Sequence, residues 1–278
     1  MPLSITSERI SDFPLMKLEI AGVKALYTSK AFFPPSTIQI DPWHRWKFNR
    51  LLYGYVEEKN IYKLVIRLYF PSRYLSSTGN DYLPLAKKIM ELSLKFYILG
   101  AVNLGLTPRW SKEGIVDIWL SENGNYAGEQ IGKDLYIYQI AKERSELELL
   151  REIAHEWGHH IIPPIGPYTA PEEWANGVIG ERLLLKLYSS TLPASEERTK
   201  IIKFLEEKNE KPIEIFLKEG YPSETIGDKS EKGFWYLVGL VLAKEQEKGI
   251  TYLGKAFQRL KDQQSFSPGE VAKVLMNE

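Results

Sequence analysis

Three of the four histidines in this 278-residue chain fall within six positions, in the stretch "REIAHEWGHH" (151–160). The fourth, His44, lies far upstream. On a helix, positions i and i+4 share a face. His155 and His159 therefore present two imidazoles side by side, at the spacing that one zinc ion needs. Glu156 points to the neighbouring face, where its carboxylate can take a proton from metal-activated water. Gly158 lets another backbone or a ligand approach closely. His160 points away from the face shared by the pair and reads as a solvent or second-layer residue.

A zinc site of this kind takes a third protein ligand and keeps a position open for water. The candidates lie in "PEEWANGVIGE" (171–181). At helical spacing Glu172, Asn176, Ile179, Gly180, Leu183 and Leu187 form one stripe, apolar except at its start. A carboxylate on a core-facing stripe needs a partner, because an unpaired buried charge is costly. A zinc ion would supply one, so Glu172 is the first candidate. Glu173 is the second; it also reads as a solvated acid favoured by the helix dipole. Glu181 is the third, on the opposite face with Trp174, Val178 and Leu185, where a structural ion pair fits. Asn176, one turn after Glu172, can bond the second nitrogen of a ligating histidine and fix its tautomer.

These residues need elements to hold them. "SELELLREIAHEWGHHII" reads as a helix. Ser145 and Glu148 form its capping box, and Pro163-Pro164 stops it. Pro171 reads as the first-turn proline of a following helix, "PEEWANGVIGERLLLKLYSS". Upstream, "IVDIWL" and "DLYIYQIA" read as strands, separated by a turn-rich excursion, "SENGNYAGEQIGK". Residues 83–104 have helical spacing and end near Gly105. Before them, "MKLEIAGVKALYT", "TIQIDPW", "YKLVIRLYF" and, more ambiguously, "WHRWKFNRLLYGYVEE" read as strands, with turn signals at Phe33-Pro34-Pro35 and Glu58-Lys59-Asn60. From 193 onward the pattern is helical: "PASEERTKIIKFLEEKNE", "KPIEIFLKEG", "SEKGFWYLVGLVLAKEQEKG", "ITYLGKAFQRLKDQ" and "SPGEVAKVLMNE". Strands followed by helices, without βαβ alternation, imply an α+β protein. The expected parts are a β-rich N-terminal region with a mixed sheet (1–80), a catalytic core around the central helix (81–190) and a helical C-terminal lobe (191–278).

Composition narrows the function. Lys plus Arg equals Asp plus Glu at 36 each, so no global field favours nucleic acid or an anionic membrane. No cysteine is present, which excludes disulfides and thiolate chemistry. It also fits a thermophile avoiding labile residues. The N-terminal stretch lacks the pattern of a signal peptide, and the longest apolar run, "GFWYLVGLVLA", is about half a membrane span. A cytoplasmic location is the expectation.

His155-Glu156-x-x-His159 with a downstream glutamate resembles the gluzincin branch of zinc metallopeptidases, the peptidase MA-like proteins related to thermolysin. Glu172-x-x-Ala175-Asn176 is similar to the Glu-x-x-Ala-Asp/Asn signature of several of them. The order of strands, HExxH helix, glutamate-bearing helix and helical lobe is also similar. The resemblance is clearest over residues 83–190. It implies a zincin-like fold and peptide hydrolysis by a zinc-activated water. His155, His159 and Glu172 would hold Zn2+, and Glu156 would be the general base. The substrate, a peptide or protein segment, would lie along an edge strand, taken to be "DLYIYQIA". An oxyanion stabiliser is expected beside zinc; Tyr168 is the candidate, with His44 a second possibility. The interval from His159 to Glu172 is shorter than in the thermolysin pattern. Where aminopeptidases carry Asn-Glu-Gly, this chain reads Trp174-Ala175-Asn176-Gly177, and it has no GAMEN-like motif. An endopeptidase is therefore the expectation ahead of an aminopeptidase. The alternatives are an inactive zincin-fold binding or structural protein, and a zinc hydrolase of a non-peptide amide. Neither nucleic acid nor membrane is an expected partner.

Overall fold

The computed structural model describes residues 4–6, 14–33, 36, 38–260 and 264–276. Pro34-Pro35, Thr37, residues 261–263 and 277–278, and most of the N-terminal stretch read for a leader lie outside the described residues. The chain forms two compact units. One comprises Met1–Ile98 and Pro108–Glu156; the other comprises Leu99–Thr107 and Trp157–Glu278. The architecture is α+β, with a mixed sheet in the first unit.

In the first unit a hairpin joins β2 (Leu15–Ile20) to β3 (Val23–Thr28). Ala21 and Gly22, both at positive φ, make the two-residue turn that matches strand twist. β6 (Arg50–Glu58) and β7 (Ile61–Phe70) form the long central hairpin. The ambiguous 43–58 stretch is therefore largely strand, preceded by the short pair β4 (Gln39–Ile40) and β5 (Lys47–Phe48). β8 (Val116–Leu120), β9 (Gly128–Ile131) and β10 (Asp134–Ile137) complete the sheet. Its order is β2-β3-β6-β7-β8-β10-β9, with β1 (Ser4–Thr6) antiparallel on β7. β7, β8 and β10 run parallel; the remaining pairs are antiparallel.

This order corrects one expectation. "DLYIYQIA" supplies β10, which is enclosed between β8 and β9, and the edge strand on that side is β9. β9 lies inside the stretch that reads as a turn-rich excursion. Gly-Glu-Gln-Ile lacks β-branched alternation, so its pairing with β10 comes from hairpin closure at Gly132-Lys133 rather than from local propensity.

One sheet face carries an aromatic core that includes Tyr53, Tyr55, Tyr69, Trp119, Tyr136 and Tyr138, with Tyr69 stacked on Trp119 at 4.1 Å. The other takes α1 (Leu83–Leu99). A Cβ at Gly54 would lie 2.6 Å from the Met90 sulfur, so a glycine in mid-strand is what lets α1 pack that closely. α1 continues as a π-helical turn, Gly100–Leu104, closed by Gly105 at φ +63°. This matches the stop expected near Gly105.

α2 (Glu146–Ile161) is the His-bearing helix, and the division between the units falls inside it. The second unit continues with α3 (Asn176–Thr191), α4 (Glu196–Glu219), α5 (Glu231–Lys248), α6 (Ile250–Gln258) and α7 (Pro268–Met276). Two helical boundaries differ from the sequence reading. The stretches on either side of Lys211 join into the single helix α4, which runs through Pro212. Packing on α5 outweighs the lost hydrogen bond: Gly239 of α5 has no side chain, and a Cβ there would sit 1.9 Å from the Pro212 carbonyl oxygen. The second difference is the start of α3, at Asn176 rather than Pro171. Tyr168 N donates to Glu173 O and Ala175 N to Ile165 O, so 165–175 is a loop folded back on itself. Those bonds are incompatible with a first helical turn at 171–175. Glu172 is therefore a loop residue, not the start of a helical stripe.

Candidate metal centre

Ser145 and Glu148 cap α2 reciprocally: Glu148 N donates to Ser145 Oγ (3.2 Å) and Ser145 N to a Glu148 carboxylate oxygen (2.8 Å). From this start the helix runs to Ile161, two residues before Pro163-Pro164. It sets His155 and His159 one turn apart. Each of His155, His159 and Glu172 offers a ligand atom, and these atoms lie within 4.8 Å of one another. His159 Nε2 is 3.9 Å from Glu172 Oε2. Nitrogen and oxygen ligands at about 2.0–2.1 Å from one tetrahedral ion are roughly 3.4 Å apart, so small side-chain rotations close the set. The fold does not contain the helical stripe that points to Glu172; the folded loop brings it to the histidines instead.

Asn176 settles how His159 is presented. It is buried, and its Nδ2 faces the carbonyls of His159 (3.4 Å) and Ile162 (3.3 Å). Only a donor fits between two carbonyls, so the amide orientation is fixed. Its Oδ1 lies 3.0 Å from His159 Nδ1 and can only accept. Nδ1 therefore carries a proton, and in the neutral imidazole the lone pair lies on Nε2, the nitrogen that faces Glu172. This tautomer is the one a ligating histidine needs. The contact depends on two glycines. A Cβ at Gly180 would lie 2.1 Å from Gly158 Cα, and one at Gly158 would lie 2.8 Å from the carbonyl oxygens of Asn176 and Gly177. Gly158 thus makes room for the backbone of α3, which carries Asn176.

Glu156 is buried, and Gly128 of the edge strand lies directly against it: a Cβ at 128 would be 2.8 Å from Glu156 Cγ and Oε1. Tyr138 N donates to Ala127 O. In an antiparallel pair this register turns Ala127, Glu129 and Ile131 toward β10 and leaves the backbone groups of Gly128 and Gln130 facing outward. An open backbone edge therefore passes over the Glu156 carboxylate.

The remaining candidates are not part of that converging group. Glu173 is exposed and contributes its backbone carbonyl to the loop. Glu181 is buried and ion-paired with Arg182 at 3.2 Å. His160 is wholly buried, 5.8 Å from the Trp157 ring, and so is not a solvent residue. Tyr168 packs edge-on against Phe234 at 5.3 Å. Burial raises its pKa, and its hydroxyl has no hydrogen-bond partner among the described residues. The contacts of Tyr168 are those of core packing. His44 stacks on Trp46 at 4.4 Å, and its Nε2 lies 2.8 Å from the Tyr138 hydroxyl, which donates to Glu129 of β9.

Three neighbours of the site escape the sequence reading. Gly128 is one; a glycine within a strand marks a close approach, which is the signal that was present. Glu152, one turn before Glu156, pairs with Arg144, which also donates to the Tyr138 carbonyl. Burial pushes the Glu152 carboxyl up to about 7, against the opposing pull of the Arg144 guanidinium. Arg144 thereby ties α2 to the end of β10. No local pattern in the sequence marks that pair.

Compared with protein-family models and with curated proteins, the chain matches none.

Proposed function

We propose that this protein is a zinc-dependent metallopeptidase acting on extended peptide or protein segments. The observation that carries the reading is the convergence of His155, His159 and Glu172 within 4.8 Å. Two neutral imidazoles and one carboxylate are a frequent ligand set of catalytic zinc, and the chain offers no thiolate to compete. When bound, zinc supplies a Lewis acid for the peptide carbonyl and lowers the pKa of water. His155 and His159 would hold the ion through ring nitrogens, with Asn176 keeping the His159 proton on Nδ1. Glu156 would accept a proton from water on its carboxylate and return it to the departing amine. The outward backbone of Gly128 and Gln130 would pair with the substrate as an added strand, holding the scissile bond above Glu156.

The test is hydrolysis of an unstructured protein by the metal-loaded wild type and by Glu156→Gln. The variant is expected to retain zinc and to lose cleavage by about two to four orders of magnitude. Undiminished cleavage by Glu156→Gln would remove Glu156 as the base.

A further inference from the structure

A cavity lies at the open end of the β6–β7 hairpin, and it does not depend on the metal centre. Its volume is about 390 Å³, and it is lined by Lys30, Arg50, Arg73, Ser72, Asp81 and Tyr74, among others. That volume is at the lower end of small-molecule pockets, roughly 300–1,000 Å³. Three of these side chains are cations and one is an anion. None of the three cations makes an ion pair with any described residue. Asp81 Oδ1 is already engaged by the Leu83 backbone N–H at 3.1 Å.

Arg50 and the turn that carries Arg73 are held in place. The Arg50 guanidinium lies 4.4 Å from the Phe33 ring centroid. Stacking engages the face of the guanidinium and leaves its in-plane N–H groups free to donate. Asn49 grips Ser72 twice: it accepts from Ser72 N at 2.8 Å and donates to Ser72 Oγ at 2.9 Å. This fixes the turn that carries Arg73 and leaves the Ser72 hydroxyl hydrogen to donate. Tyr74, 93% exposed, adds an open aromatic ring. Like charges gathered on one cavity repel each other, and an anion removes that cost. The placement agrees with this reading. β7, α1 and β8 form a parallel crossover, and the cavity opens at the carboxyl end of β7, where such units commonly seat ligands.

We propose that this cavity binds a phosphate-bearing small molecule, with Lys30, Arg50, Arg73 and the Ser72 hydroxyl holding the phosphoryl oxygens. The planar guanidinium forks suit phosphate oxygens in pairs, and a net excess of two positive charges suits a dianion.

The experiment is calorimetric titration of the full chain in EDTA, which excludes metal bridging, with inorganic phosphate, ATP and citrate as probes. Saturable binding of phosphate or ATP is expected, weakened about tenfold or more in Arg73→Gln and in Lys30→Gln. Both side chains are exposed, so these variants should fold; equal thermal midpoints would verify that. ATP binding more tightly than phosphate would assign the rest of the ligand to the Tyr74 rim; equal affinities would restrict the site to the phosphoryl group. Absence of saturable binding by both phosphate and ATP would overturn the proposal, as would unchanged affinity in both variants. Citrate binding as tightly as phosphate would contradict the assignment to phosphate.

Discussion

At the scale of single residues, Asn176 does more than fill space. Its amide is oriented by two carbonyls and in turn orients His159. Second-layer partners of this kind are typically worth about 10–100-fold in metal affinity. Asn176→Ala should weaken zinc binding by that amount, measured by competition with a chromophoric chelator. Asn176→Asp should not rescue it, because the second carboxylate oxygen would face the His159 and Ile162 carbonyls, where only a donor fits. Wild-type affinity in Asn176→Ala would show that His159 needs no such support. The histidine pair was legible because i, i+4 spacing on a capped helix is a local pattern. That Glu172 rather than Glu173 or Glu181 lies beside the histidine pair was legible in outcome only. Nothing in Pro171-Glu172-Glu173-Trp174-Ala175 distinguishes a helix start from a folded loop, and the bonds that decide it come from Ile165 and Tyr168.

At the scale of elements, the approach of α3 to α2 rests on paired glycines. Gly158 and Gly180 meet backbone to backbone, so a methyl group at either position must push the helices apart. Gly180→Ala should destabilise the protein by about 1–3 kcal/mol, as overpacking does, even though alanine is the better helix former. Thermal unfolding checks this, and a raised midpoint would contradict it. Moving α3 also moves Asn176, so zinc affinity should fall together with stability. Elements written in local patterns were legible: the capping box of α2 and the stop at Gly105. The stretch "MKLEIAGVKALYT" reads as one strand, and the Ala21-Gly22 turn divides it into β2 and β3. β9 and the continuity of α4 were not legible, because both are decided by distant partners, β10 for the first and Gly239 of α5 for the second.

For the whole molecule, the strands-then-helices order carried the α+β class and the mixed sheet, and the structure adds that β8, β9 and β10, beyond residue 80, complete that sheet and that β9 is the edge beside β10. Among the described residues no helix is long and apolar enough to cross a membrane. We propose that the fold builds one metal centre from an i, i+4 histidine pair and a loop glutamate. The most direct test is metal content of the protein purified without added metal, comparing wild type with His155→Ala and Glu172→Gln. About one zinc per chain is expected in the wild type, falling well below that in both variants. Equal zinc content in all three proteins would contradict the claim.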